Sequence, residues 1–125
     1  MTRSTVTDPN APKPVGPYSH AAIHPAGPLY LSGQTPIDPA TGALVDGDVA
    51  AQTRRVFANL ESVLAAAGRT LDDVVKVNVY LIDMTDFAAM NGVYASVFSV
   101  PYPARTTVAV AALPLGARVE IELVA

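Results

Sequence analysis

The chain has 125 residues, half of them hydrophobic and only 15% charged, with a net charge of −3 and no cysteine. That length accommodates one core and not two; the basic residues are too scattered for an electrostatic footprint on nucleic acid; and the missing cysteines exclude disulfide and thiolate chemistry. Charge this far below the roughly 25% usual in soluble domains implies that further copies of the chain cover part of its surface. No apolar run approaches the roughly 20 residues that cross a bilayer. The opening residues, Arg3 followed by polar residues and prolines, do not read as a signal peptide, so a cytoplasmic protein is expected.

Residues 1–125 read as one domain. Pro9, Pro12, Pro14 and Pro17 and the lack of apolar periodicity predict an extended or mobile arm over residues 1–14. Short strands follow at residues 21–23 and 29–31, joined by a turn at His24-Pro25-Ala26-Gly27-Pro28. The clearest helix begins at an Asp48 N-cap, carries Val49, Val56, Phe57, Leu60, Val63, Leu64 and Ala67 on one stripe, and is closed by Gly68. Residues 71–82 form a strand with Val75, Val77, Val79 and Leu81 on one face and Lys76, Asn78, Tyr80 and Ile82 on the other. A second helix spans about residues 85–98, with Phe87, Met90, Tyr94, Val97 and Phe98 as its stripe and Pro101 beyond its end. Strands over 105–111 and 118–124 complete the order β-β-α-β-α-β-β, with right-handed crossovers and both helices on one face of one sheet. The other face is too apolar for water, and a homo-oligomer with packed sheets is expected.

Arg105 is the only charge between Asp86 and Arg118, and it opens a run of small and β-branched residues. Burying a lone guanidinium is costly unless an anion pairs with it. Its planar fork matches carboxylate or phosphate. Either a protein carboxylate, with Glu120 and Glu122 as candidates, or a ligand meets Arg105. His20 and His24 are four apart, but Pro25 argues against a helix there, so no metal pair is expected.

Gly16-Pro17-Tyr18-Ser19, Leu29-Tyr30-Leu31-Ser32-Gly33-Gln34, Pro103-Ala104-Arg105-Thr106 and Val119-Glu120-Ile121-Glu122 occur in this order. With these motifs the chain resembles the Rid family of reactive intermediate deaminases, also called the YjgF family, from about Asn10 to its end. The resemblance implies a chorismate-mutase-like α+β fold, one mixed sheet with two helices on one face, assembled as a homotrimer with clefts between subunits. It implies hydrolysis of enamines and imines, 2-aminoacrylate and related 2-imino acids, to 2-keto acids and ammonia, with no cofactor or metal; the scattered basic residues and short apolar runs add that no nucleic acid or membrane partner is expected.

The implied site residues are carried over position by position. Arg105 grips the substrate carboxylate, Glu120 holds or activates water, and Ser32 stands nearby. Tyr18, Gly33, Asn91 and Thr107 line the substrate, Thr107 through its backbone N–H, since several members have cysteine there. Ser32 has no histidine partner in a triad-like pattern and is not read as a nucleophile. His20 stands where many members have glutamine, and the stretch 99–102 is shorter than the matching loop in some of them. Three other readings remain open, one of them a specialised deaminase for a larger unsaturated amino acid, which the short stretch 99–102 leaves room for. Another is a trimer that binds a 2-keto acid without turnover. The third is action on RNA, against which the acidic balance speaks.

Overall fold

The structure, a computed structural model, describes residues 3–24 and 27–125. Strands β1 (Ser4–Val6), β2 (Ala21–Ile23) and β3 (Leu29–Gln34) lead into helix α1 (Val49–Ala66); β4 (Lys76–Leu81), helix α2 (Phe87–Val97), β5 (Ala104–Ala109) and β6 (Val119–Val124) follow. They build one mixed sheet in the order β1-β2-β3-β6-β4-β5. The pair β4–β5, bridged by α2, is parallel; every other pair is antiparallel. The expected turn at residues 24–28 falls partly on Pro25 and Ala26, which lie outside the described residues.

Alternation along β4 and β6 decides which face is covered. Val77, Val79, Leu81, Val119, Ile121 and Leu123 are wholly buried beneath α1 and α2. Each such side chain contributes about 1.5–3 kcal/mol relative to exposure. Helix α1 forms where expected: the Asp48 carboxylate accepts from the Ala51 N–H, and Gly68 takes the left-handed conformation (φ 73°) just beyond the last turn. Phe57 of α1 packs edge-on against Tyr94 of α2 and against Phe98, fixing the two helices to each other.

Three features depart from the expected pattern. First, part of the N-terminal arm is a strand: β1 adds to the sheet by pairing with β2. The arm is fastened by buried His20, whose Nδ1 accepts from the Asp8 N–H (2.9 Å) and whose Nε2 donates to the Pro12 carbonyl (2.7 Å). These bonds join residues 8 and 12 positions away, which no periodicity encodes. Second, residues 71–73 form a single 3-10 turn, with Thr70 and Asp73 in a reciprocal capping box, so β4 starts at Lys76 and Val75 is exposed. Third, the open face is more polar than expected. Asn78, Tyr80, Glu120 and Glu122 occupy its centre, flanked by exposed Tyr30 and Val108.

His20→Ala removes two buried hydrogen bonds and leaves a cavity. It is expected to cost about 2–4 kcal/mol in chemical denaturation, with faster limited proteolysis confined to residues 3–19.

Candidate functional site

The sheet register sorts the expected site residues into two groups. Arg105 pairs with Val77 and Thr107 with Val79, so both point to the helix side. Glu120 pairs with Tyr80 and points to the open side. Arg105 and Glu120 are thus separated by two strand spacings and three residues along the strand, roughly 14 Å between Cα atoms, with the sheet between their side chains. Within one copy they do not meet.

The first group lies along β5, an edge strand. Arg105 Nη1 donates to Asn91 Oδ1 (2.7 Å), and the guanidinium lies over the Tyr94 ring (4.5 Å to the centroid) and near that of Phe87 (5.5 Å). Among the described residues the ion pair is Arg118–Asp86, and Arg105 has no carboxylate partner. Glu122 is already bonded to Tyr80 and Asn78, and Glu120 is on the far side of the sheet. The intramolecular ion pair is therefore excluded. The guanidinium lines a cavity of about 430 Å³ with Asn91, Tyr94, Ala95, Tyr102 and Pro103.

Two buried hydroxyls on this side, Tyr94 Oη and Thr107 Oγ1, have no hydrogen-bond partner. Burial pushes the Tyr94 phenol up, partly offset by the Arg105 charge. The backbone adds a donor. Ala104 N–H bonds the Val75 carbonyl and Val110 N–H that of Leu81, so even-numbered amides of β5 face β4. The Thr107 N–H therefore points out of the sheet's free edge, where a ligand can take it.

The second group surrounds the β3–β6 bulge. Leu31 pairs with Leu123 and Gln34 with Ile121, so β3 fits one extra residue at Ser32-Gly33. Gly33 is needed for close approach: a Cβ there would lie 3.1 Å from Glu120 Cδ and collide with the carboxylate. Ser32 Oγ donates to the Ser19 carbonyl (2.5 Å), and Ser32 N–H to the His20 carbonyl. Ser32 thus holds the arm against the bulge. Tyr18, on that arm, is exposed, and its hydroxyl accepts from the Val15 N–H (3.4 Å). Burial, reinforced by the Glu122 charge, holds the Glu120 carboxyl above the usual carboxylate range.

Sequence reasoning carried Arg105, Asn91, Thr107, Tyr18, Ser32, Gly33 and Glu120 into one site, with Gly33 beside Arg105; within one copy the sheet register divides them into two groups. Sequence reasoning also read Tyr94 as helix core and missed the hydroxyl. The three-residue spacing from Asn91 to Tyr94, which puts both on one helix face, was the available signal. The link from Tyr80 to Glu122 had none, because it crosses two strands 42 positions apart.

Residues 8–125 match the family model described as Endoribonuclease L-PSP. The chain belongs to the Rid (YjgF) family. It is 42% identical over 125 residues to the 2-iminobutanoate/2-iminopropanoate deaminase of Bos taurus, covering all of this chain and 90% of that one. A crystal structure from Yersinia pestis, assigned in its title to the conserved Rid protein family and to unknown function, superposes with a TM-score of 0.95 at 45% identity, covering 99% of this chain and 98% of that one. The YjgF gene product of E. coli superposes with a TM-score of 0.90 at 38% identity, covering 98% and 97%. These Rid relatives align along nearly the whole chain, so both groups of residues fall within the shared fold.

Because the Glu120 carboxyl is raised, the folded state favours its neutral form. Ionisation then costs stability, and the cost is absent at low pH and grows as the pH rises through the raised value. Glu120→Gln, neutral at every pH, is expected to raise Tm relative to the native protein at neutral pH, with the gain vanishing below about pH 4. Paired thermal melts across that range test it.

Proposed function

We propose that this protein hydrolyses 2-imino acids and their enamine tautomers, such as 2-aminoacrylate, to 2-keto acids and ammonia. In this reading the site lies between two copies of the chain in a homotrimer. The observation that carries it is the Arg105 guanidinium, which has no internal carboxylate and lines a cavity beside a free strand edge. An amino-acid-derived imine carries a carboxylate. It would lie across that edge, accepting two parallel bonds from Arg105 and one from the Thr107 N–H. Asn91 and the Tyr94 ring hold the guanidinium in place.

The second copy supplies Glu120, whose raised proton affinity makes it a stronger base than an ordinary carboxylate. The enamine first tautomerises to the imine. Water then adds to the C=N carbon: its oxygen forms the new C–O bond as the C=N π pair moves to nitrogen, one water proton passes to Glu120, and Glu120 delivers that proton to the nitrogen to give the carbinolamine. The C–N bond then breaks as the hydroxyl oxygen forms the C=O bond and its proton passes through Glu120 to the leaving nitrogen, so ammonia leaves, the ketone remains and Glu120 is again a carboxylate. Such hydrolysis already proceeds in water, so orientation of the carboxylate and one placed base suffice. Gly33 admits Glu120 to the bulge, Ser32 keeps the arm in place, and Tyr18 on that arm faces the entering substrate. The deaminase name of the bovine relative supports the reaction type. A net charge of −3 speaks against RNA as the substrate, whatever the family model's description.

Arg105→Ala should lower kcat/KM for 2-iminopropanoate generated in situ by on the order of 10²–10⁴-fold, the worth of two charge-assisted hydrogen bonds at about 1.5–3 kcal/mol each. Full activity in that variant would sink the reading. The two-copy site makes a separate prediction. Arg105→Ala and Glu120→Gln are each inactive alone, but after unfolding and refolding together they regain part of the native activity, because some mixed assemblies hold a site with both native residues. No recovery in demonstrably mixed oligomers would refute a site shared between copies.

A further inference from the structure

Glu120 and Glu122 are two residues apart on one face of β6, about 7 Å by strand geometry. Their surroundings are unequal. Glu122 Oε1 accepts the Tyr80 hydroxyl and the Asn78 side-chain amide (3.3 Å), both from β4. Glu120 receives no hydrogen bond from any described residue and presses on the backbone of Gly33. Among the described residues no positive charge offsets this difference. On β3, Ser32 and Gly33 are uncharged. Tyr30 and Lys76 stand at the far end of the face opposite Val124, and the Lys76 ammonium donates to Thr106. On β6 itself, Arg118 is bound to Asp86.

We propose that Glu122, fixed by Tyr80 and Asn78, is a positioning residue that makes Glu120 the proton-accepting carboxylate of the pair. This rests on the deaminase reading for its catalytic consequence, though the carboxylate pair can be measured without it. Two donors already occupy Glu122 Oε1, whereas the Glu120 carboxylate has none, so Glu120 is the one left free to take a proton from water. Tyr80 remains a donor throughout, since its hydroxyl, bonded to Glu122 and partly desolvated, is pushed up to about 12. On top of the larger effect of burial, the negative charge on Glu122 raises the proton affinity of Glu120, which makes Glu120 a stronger base for water attack. Glu122 touches no reacting atom and acts only through its neighbour.

The test is a carbon-detected NMR titration of the glutamate carboxyls in the assembled protein, alongside the pH profile of kcat/KM for 2-iminopropanoate. It compares the native chain with Glu122→Gln and Tyr80→Phe. Glu122→Gln keeps both hydrogen bonds and loses only the charge. The Glu120 midpoint is expected to move to lower pH, and the acid limb of the rate profile to move with it. In Tyr80→Phe, Glu122 loses the donor that fixes it, and the Glu120 midpoint is expected to leave its native value. A purely structural role for Glu122 would instead scale the rate equally at every pH. An unmoved Glu120 midpoint in Glu122→Gln overturns the proposal, as does a moved midpoint with an unmoved acid limb. A moved midpoint in a protein whose native form turns over no imine supports the carboxylate pair and overturns only the deaminase reading.

Discussion

The alternation of side chains across β4, β5 and β6 is the constraint on which the rest of this structure depends. Arg105 shares a face with Val77, and Glu120 with Tyr80. With the sheet between them, neither rotamer changes nor small backbone shifts can bring a guanidinium and a carboxylate onto one small imino acid. A chemistry that needs both therefore needs a second copy of the chain, and the edge position of β5 leaves a place for it. The order of strands matters as much as the alternation. Were β5 central, the Thr107 N–H would bond a neighbour and the strand could not offer a donor to a ligand.

The two groups of residues are built on opposite electrostatic principles. Around Arg105 the protein provides a cation with few partners, two aromatic faces and two buried hydroxyls without hydrogen bonds. Unmet polar capacity of this kind is costly in a buried setting and is relieved when an anion arrives. Around Glu120 two carboxylates share one face, and donors from β4 satisfy only one of them. Among the described residues neither Arg105 nor Glu120 has an internal ion-pair partner, and polar capacity left unmet in this way counts against stability.

Much of the fold was legible in the sequence because its helices and central strands are strongly periodic. Val49 to Ala67 and Phe87 to Phe98 show apolar spacing that only a helix buries on one side, and Asp48 and Gly68 mark the ends of the first helix by their own chemistry. The strand in the N-terminal arm was not legible. Ser4-Thr5-Val6 is too short to carry a pattern, and it is held in place by pairing with residues 21–23 and by His20. The 3-10 turn at Leu71–Asp73 was hidden in a run that also reads as strand, and the Thr70–Asp73 capping box decided it.

The sequence by itself determined the chemical inventory: one arginine in a charge-free stretch, a pair of alternate glutamates, glycine at position 33, and the family motifs in order. These follow from residue identity and short-range spacing, which a linear string carries in full. Only the tertiary structure decided which of them meet. Register between distant strands fixes the facing of every side chain, and a shift of one residue would reverse it. That register separated Arg105 from Glu120, gave Tyr80 to Glu122 rather than to solvent, and turned the Thr107 amide outward. These relations arise from hydrogen-bond pairing between segments 28 to 48 positions apart, so no local feature of the chain could announce them.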